Sequence, residues 1–274
     1  MSCEPTWHYL DWDETRVRRF WDFAARWPAW QNDYFAKQVG LGVVNLLRRL
    51  LLLQGRILDY GCGPGYLIGF LLRAGIACEG ADSSPQTVDA VNNTYAGNPL
   101  WKGAKLLDNR ELPFPDDSFD LIICLETIEH VLPEHTEAML SELRRIMKPT
   151  IGRLFLTTPN AENLEESQVY CPECGAVFHR YQHVRSFTRS TLQALMSASG
   201  FRTDLCEVTV FNQFQNPLFS TGITLNLNSI ARYLKWIWAS LLDISKAPGT
   251  PIGGRRLHQL LGSGPHLFWL GVKE

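Results

Sequence analysis

Arg56-Ile57-Leu58-Asp59-Tyr60-Gly61-Cys62-Gly63-Pro64-Gly65-Tyr66-Leu67 decides how the rest of this chain is read. Ile57–Tyr60 has the character of a buried strand, and an apolar helical segment, Tyr66–Arg73, follows at once. Between them stand three glycines at alternating positions, Gly61, Gly63 and Gly65. Glycines at such a turn remove the Cβ atoms that would keep a ligand off the backbone, and they permit positive φ. The stretch therefore predicts a strand, a tight turn and a helix start, with bare main chain where a ligand can lie.

The spacing G-x-G-x-G differs from the G-x-G-x-x-G of dinucleotide-binding folds, and Asp59 stands two residues before the first glycine. A carboxylate there repels a pyrophosphate and attracts a cation such as a sulfonium or amino group. A second short apolar strand, Ala77-Cys-Glu-Gly-Ala-Asp82, ends in a carboxylate suited to both hydroxyls of a ribose. A third, Lys105-Leu-Leu-Asp-Asn109, ends in Asp108 and Asn109, whose polar groups suit the amine and ring edge of an adenine.

These motifs, together with Leu112-Pro-Phe-Pro-Asp-Asp-Ser-Phe-Asp120, Leu121-Ile-Ile-Cys-Leu-Glu-Thr-Ile-Glu-His130, Leu143-Arg-Arg-Ile-Met-Lys-Pro149 and Arg153-Leu-Phe-Leu-Thr-Thr-Pro159, resemble the class I S-adenosylmethionine-dependent methyltransferases. The resemblance covers residues 40–211 and a last strand at 266–272. It implies an α/β, Rossmann-like sheet of seven strands with the last one antiparallel and helices on both faces. It also implies that S-adenosyl-L-methionine binds at Asp59, Gly61, Cys62, Gly63, Gly65, Asp82, Ser83, Asp108, Asn109 and Leu125.

At 274 residues with 45% hydrophobic content the chain has material for a sizeable core. Its net charge of −2, from 26 basic and 28 acidic residues, creates no global field favouring nucleic acid, so a nucleic-acid partner is not expected. The opening residues lack the basic start and apolar run of a secretory signal, and a cytoplasmic protein is expected. Of seven cysteines, Cys3, Cys62, Cys78, Cys124 and Cys206 stand singly in apolar or turn contexts, as reduced cysteines do.

Taken in order, residues 14–27 and 34–53 show helical apolar spacing, and residues 1–53 read as an N-terminal helical cap. Strands are predicted at 56–60, 77–81, 104–107, 119–124, 152–158 and 203–211, and helices at 65–74, 84–93, 133–147 and 188–199. Such alternation indicates a mostly parallel sheet covered on both faces. The catalytic domain is thus residues 54–211 with 265–274. Residues 159–187 read as a long, ligand-rich loop, and 212–264 as a helical insertion, a possible lid. Its centre, 230–243, has an aromatic face that suits peripheral membrane contact or plain packing, but is shorter than the ~20 residues of a membrane span.

Two metal readings compete. Cys171-x2-Cys174-x4-His179-x3-His183 has the spacing of a compact structural zinc knuckle. Glu126-x2-Glu129-His130, with His183 later, is similar to the metal-binding pattern of the ubiquinone-biosynthesis O-methyltransferases and the small-RNA 2′-O-methyltransferases. That resemblance implies a catalytic divalent cation beside the methyl group. His183 cannot easily serve both, and the sequence leaves the choice open. The expected activity is methyl transfer to a hydroxyl, less readily an amine, of a small-molecule acceptor, with His130 or His183 as base. A zinc-bearing RNA methyltransferase or binding module is the alternative, and oligomeric state is not legible.

Overall fold

The computed structural model describes residues 6–107, 112–215, 234 and 261–274. The elements follow in chain order: β1 (His8–Tyr9), α1 (Glu14–Arg26), α2 (Phe35–Arg49), β2 (Ile57–Tyr60), α3 (Tyr66–Arg73), β3 (Cys78–Asp82) and α4 (Pro85–Tyr95). Next come β4 (Trp101–Leu106), β5 (Leu121–Leu125), α5 (Pro133–Ile146), β6 (Arg153–Pro159), β7 (Gln168–Tyr170) and β8 (Ala176–His179). The series closes with α6 (Arg189–Ala198), β9 (Phe201–Thr209) and β10 (His266–Lys273).

Seven strands form one sheet in the order β4-β3-β2-β5-β6-β10-β9. β2 runs parallel to β3 and β5, whereas β10 is antiparallel to both β6 and β9. The seven-stranded Rossmann-like arrangement expected from the sequence is the one found. Alternate residues of the central strands feed two cores. Ile57, Leu121, Ile123 and Phe155 pack with the apolar faces of α2, α3 and α4 on one side. Leu58, Ile122, Cys124 and Leu154 pack with α5 and α6 on the other. Each fully buried Leu, Ile or Val side chain contributes about 1.5–3 kcal/mol, so the sheet centre, whose strands are buried on both faces, is the anchor.

Local signals set the helix ends. The Asp13 side chain caps α1 by accepting from the Arg16 amide at 2.8 Å. Ser84 caps α4, with Pro85 in its first turn, and Thr188 forms a capping box with Thr191 at the start of α6. Such caps are worth about 1 kcal/mol each. α2 stops at Arg49 rather than running to residue 53, because Leu51 turns the chain at φ 58°.

Residues 159–187 are not a structureless loop. Within them β7 and β8 pair antiparallel as a hairpin, and β1 adds parallel to β8, making a separate three-stranded sheet. The turn between β7 and β8 is Cys171-Pro-Glu-Cys-Gly175, with Gly175 at φ 78°. Asp108 and Asn109 lie outside the described residues. So do the expected lid and membrane-facing helix at 230–243, apart from Leu234, and most of the 212–264 insertion.

Candidate functional site

The carboxyl ends of β2, β3, β5 and β6 open onto a cavity of about 850 Å³. This lies toward the upper end of the ~300–1,000 Å³ typical of small-molecule sites, with room for two ligands side by side.

One half is the glycine turn. Gly61 and Gly63 have φ of 70° and 49°, and a Cβ at Gly61 would stand 2.6 Å from Thr127 Oγ1. The turn is tied to β3: the Gly61 and Cys62 amides donate to Ala81 O, and the Gly63 amide to Asp82 Oδ2 at 2.9 Å. Asp82 Oδ1 accepts from the Ser84 amide at 3.0 Å. Burial raises the Asp82 pKa, while the amides of Ser84, Gly63 and Ser83 work against that rise. Asp59, 3% exposed, has an Oδ2 without a hydrogen-bond partner, and burial, then Asp82, pushes its pKa well up. Cys62, Ser83 and Leu125 line the same space. Of the sequence-predicted cofactor residues it describes, the structure brings all but Gly65 to this cavity.

The other half surrounds the turn after β5. Glu126 sits there at φ 44°, its amide bonded to Thr157 O and Oγ1, both at 3.1 Å. Glu129 is fully buried, and neither of its carboxylate oxygens has a hydrogen-bond partner. Glu126 Oε1 and His130 Nδ1 are likewise orphaned. Ligand atoms of Glu129, His130 and His183 lie within 4.8 Å of one another, the spacing of a metal site. Glu126 stands beside this group, with Oε1 3.9 Å from His266 Nδ1. Burial, opposed by the Thr157 hydroxyl and aided by Glu162, raises Glu126 to about 8. Glu129 goes well up for the same first reason and because Glu126 is near.

His130 is held at about 3 by burial and by His183. It therefore stays neutral at pH 7 and takes a proton poorly. Its Nδ1, without a hydrogen-bond partner, is free to take a ligand.

The four residues of the expected zinc knuckle do not come together in one close-set group. Among the described residues, the groups of three close-set metal-ligating side chains are Glu129-His130-His183 and Glu162-His179-His183, and neither contains a cysteine. The reason is the hairpin. Cys171 and Cys174 occupy its turn, whereas extended β8, at ~3.3 Å per residue, carries His179 about 10 Å away from Ala176. Cys171 and Cys174 are free thiols.

Sequence reasoning missed four contributors. Glu162 accepts from His183 Nδ1 at 2.5 Å. Gln182, fully buried, donates to His130 O at 3.0 Å and accepts from Trp21 Nε1 at 2.8 Å. Trp21 sets its ring edge-on to His130, centroids 4.7 Å apart. Tyr34 faces Gly63, its ring 3.4 Å from where a Cβ would be. The signal for Glu162 was its place three residues beyond β6, at the edge of the sheet where ligands bind. Strain marks the site as well: Ala161 and Gln182, immediately before Glu162 and His183, have φ of 50° and 61°. Left-handed backbone costs roughly 1–2 kcal/mol per non-glycine residue, so the surrounding contacts must hold these positions.

A family model described as a methyltransferase domain matches residues 35–205. The chain belongs to this class I methyltransferase family. Two curated relatives, both named ubiquinone biosynthesis O-methyltransferase, come from Coxiella burnetii and Xanthomonas oryzae pv. oryzae. Each is 30% identical over 154 residues, 54% of this chain. The methyltransferase chain spans 63% of the length of the first and 62% of the second. Among solved structures it is similar to a chain of the complex between the Haloferax volcanii Trm112 methyltransferase activator and a methyltransferase. The TM-score there is 0.57 at 19% identity, covering 96% of this chain and 99% of that one. A SAM-dependent methyltransferase from Archaeoglobus fulgidus gives 0.51 at 19% identity, over 85% of this chain and 94% of that one. At these identities the structures establish the fold of this methyltransferase alone. Among the described residues no helix is long and apolar enough to cross a membrane.

Proposed function

We propose that this protein moves the methyl group of S-adenosylmethionine to a hydroxyl of a small molecule that binds beside a divalent cation. One observation carries the reading: Glu126, with its partnerless Oε1, and His130, with its orphaned Nδ1, line the cavity that also contains the glycine turn, and the buried, partnerless Glu129 carboxylate has a ligand atom within 4.8 Å of His130 and His183. Buried groups of this kind need a partner. A cation answers that need, and the donor set of carboxylates and imidazoles suits a hard or borderline metal rather than a thiolate-loving one.

On this reading Asp82 accepts the ribose hydroxyls and Asp59 Oδ2 receives the cationic end of the donor. The glycine turn lets the donor lie against main chain, with Tyr34 over it. Glu129, His130 and His183 hold the cation, with Glu126 at its margin. A cation in that position would bind the acceptor oxygen and make its proton easier to lose.

What remains for the chain is positioning. The acceptor oxygen attacks the methyl carbon in line as the carbon–sulfur bond breaks. The hydroxyl proton, made easier to lose in this way, leaves to solvent. Alignment of two bound reactants of this kind contributes several kcal/mol. Residues 6–53 act as a cap in this reading, because Val17, Trp21 and Tyr34 line the cavity.

The test is calorimetry of donor binding followed by turnover of catechol-type, sugar and lipid-linked hydroxyl acceptors, with chelator and with manganese. Donor binding with activity that requires the metal supports the proposal. Full turnover in chelator would remove the cation from it, and amine-only acceptors would remove the hydroxyl.

A further inference from the structure

Glu162 lies outside the glutamate-histidine motif, yet its carboxylate is the centre of a three-residue chain. Oε2 is 2.5 Å from His183 Nδ1, and Oε1 is 3.3 Å from His179 Nε2. The rings of His179 and His183 stack, with centroids 4.4 Å apart and planes 19° apart. His183 in turn sits 4.8 Å, centroid to centroid, from His130.

The positions of the protons follow from the backbone. His179 Nδ1 accepts from the amides of Tyr181 at 3.3 Å and His183 at 3.2 Å. With that lone pair taken, a neutral His179 carries its proton on Nε2, the atom that faces Glu162. Glu162 therefore receives the N–H of His183, while Nε2 of His179 stands 3.3 Å from its other oxygen without hydrogen-bond geometry. The carboxylate is an acceptor only, so the 2.5 Å contact places a proton on His183 Nδ1. The remaining nitrogen of that ring, Nε2, is left with the lone pair.

Glu162, His179 and His183 also satisfy the spacing of a cation site. The two amides on His179 Nδ1 argue against one, although Nε2 of that ring has no hydrogen-bond partner: ligation through Nε2 would require the ring to lose its proton while its other nitrogen still accepts both amides. A proton, not a metal, joins Glu162 to His183.

We infer that Glu162 is a positioning residue that fixes the tautomer of His183, with His179 as the brace that aims the carboxylate. In the neutral ring Nε2 of His183 then carries the lone pair toward the acceptor site. Outer carboxylates that orient ligand imidazoles work in this way. The inference deepens the proposed cation site, but the tautomer itself does not depend on that reading.

The test uses the full chain labelled with nitrogen-15 histidine, at about pH 8, above the ordinary imidazole pKa of ~6.5. Long-range proton–nitrogen spectra report which nitrogen of each ring is protonated, and His183→Gln assigns the signals. In the wild type His183 should be protonated at Nδ1 and His179 at Nε2. Glu162→Ala should release His183 toward the Nε2-protonated form, whereas Glu162→Gln, which keeps an acceptor and the volume, should retain much of the wild-type pattern. Manganese titrated alone should bind Glu162→Ala about 10–100-fold more weakly than wild type, with Glu162→Gln between them. A wild-type His183 protonated at Nε2, or a Glu162→Ala spectrum unchanged from wild type, overturns the inference. If Glu162→Ala does not fold, Glu162→Gln and His179→Phe supply the same comparison. Should wild type bind no manganese while the tautomer shifts as described, the cation reading falls and the positioning role stands.

Discussion

The indole Nε1 of Trp21, on α1, donates at 2.8 Å to the side-chain oxygen of Gln182, 161 residues further along the chain. Gln182 passes this contact on to the carbonyl of His130 and directly precedes His183. One buried amide thus joins the N-terminal helix to both imidazoles of the metal motif. Trp21→Phe keeps the ring against His130 but leaves the buried Gln182 oxygen without its donor, a loss of about 1–3 kcal/mol. A lowered melting temperature with a raised acceptor KM is the expected outcome. Unchanged values of both in thermal melts and steady-state kinetics would show that α1 is not coupled to the site.

Asp82 holds the Gly63 and Ser84 amides with its two oxygens. Asp82→Ala removes those acceptors as well as the one offered to the ribose, each charge-assisted bond being worth about 1.5–3 kcal/mol. Donor affinity should fall at least about ten-fold. Calorimetry giving wild-type affinity would remove Asp82 from the donor site.

Gly63→Val tests the turn. The added branch has space beside the Tyr34 ring, but φ of 49° suits glycine, and the side chain would occupy the surface on which the donor is proposed to lie. Destabilisation should be about 1–2 kcal/mol, with donor binding lost. Retention of normal binding in the same calorimetric assay would show that the turn is not the cradle.

The buried groups set the response to pH. Glu126 at about 8 binds a proton in the folded state between its ordinary 4.5 and 8, where the unfolded chain does not. Stability from this source therefore falls as pH rises through that window. His130 at about 3 and His266 at about 4 act oppositely: below 6.5 the unfolded chain takes up protons that the folded one refuses. Stability from the histidines is lost as pH falls from 6.5. Between 6.5 and 8 the carboxylates dominate, so chelated protein should melt at lower temperature as pH rises. Added manganese should protect more at pH 8 than at pH 6.5. A melting temperature in chelator that stays flat over this range would mean that the carboxylates already have a counter-charge.

Cys171 and Cys174 stand apart from the histidine groups. Replacing both with serine should change manganese affinity by no more than about two-fold, since separated sites are independent to within ~0.5 kcal/mol. A larger loss in titration would return the cysteines to the metal site.

The alternation of short apolar strands with helical segments was legible in the sequence because each core strand is buried on both faces and each helix shows one apolar stripe. The glycine turn, Asp59 and Asp82 were legible too, since they follow their strands directly and local geometry alone puts them at the sheet edge. Which of the two candidate ligand sets the fold brings together was not. Cys171-x2-Cys174-x4-His179-x3-His183 looks continuous along the chain, but a hairpin holds the thiols at its turn and sends the imidazoles elsewhere. Glu162 and Gln182 carried no motif. Their roles arise where three separate segments, α1, the turn after β5 and the residues after β8, are pressed together. There a buried polar atom must find its partner from whichever segment lies nearest, and that is settled by tertiary packing.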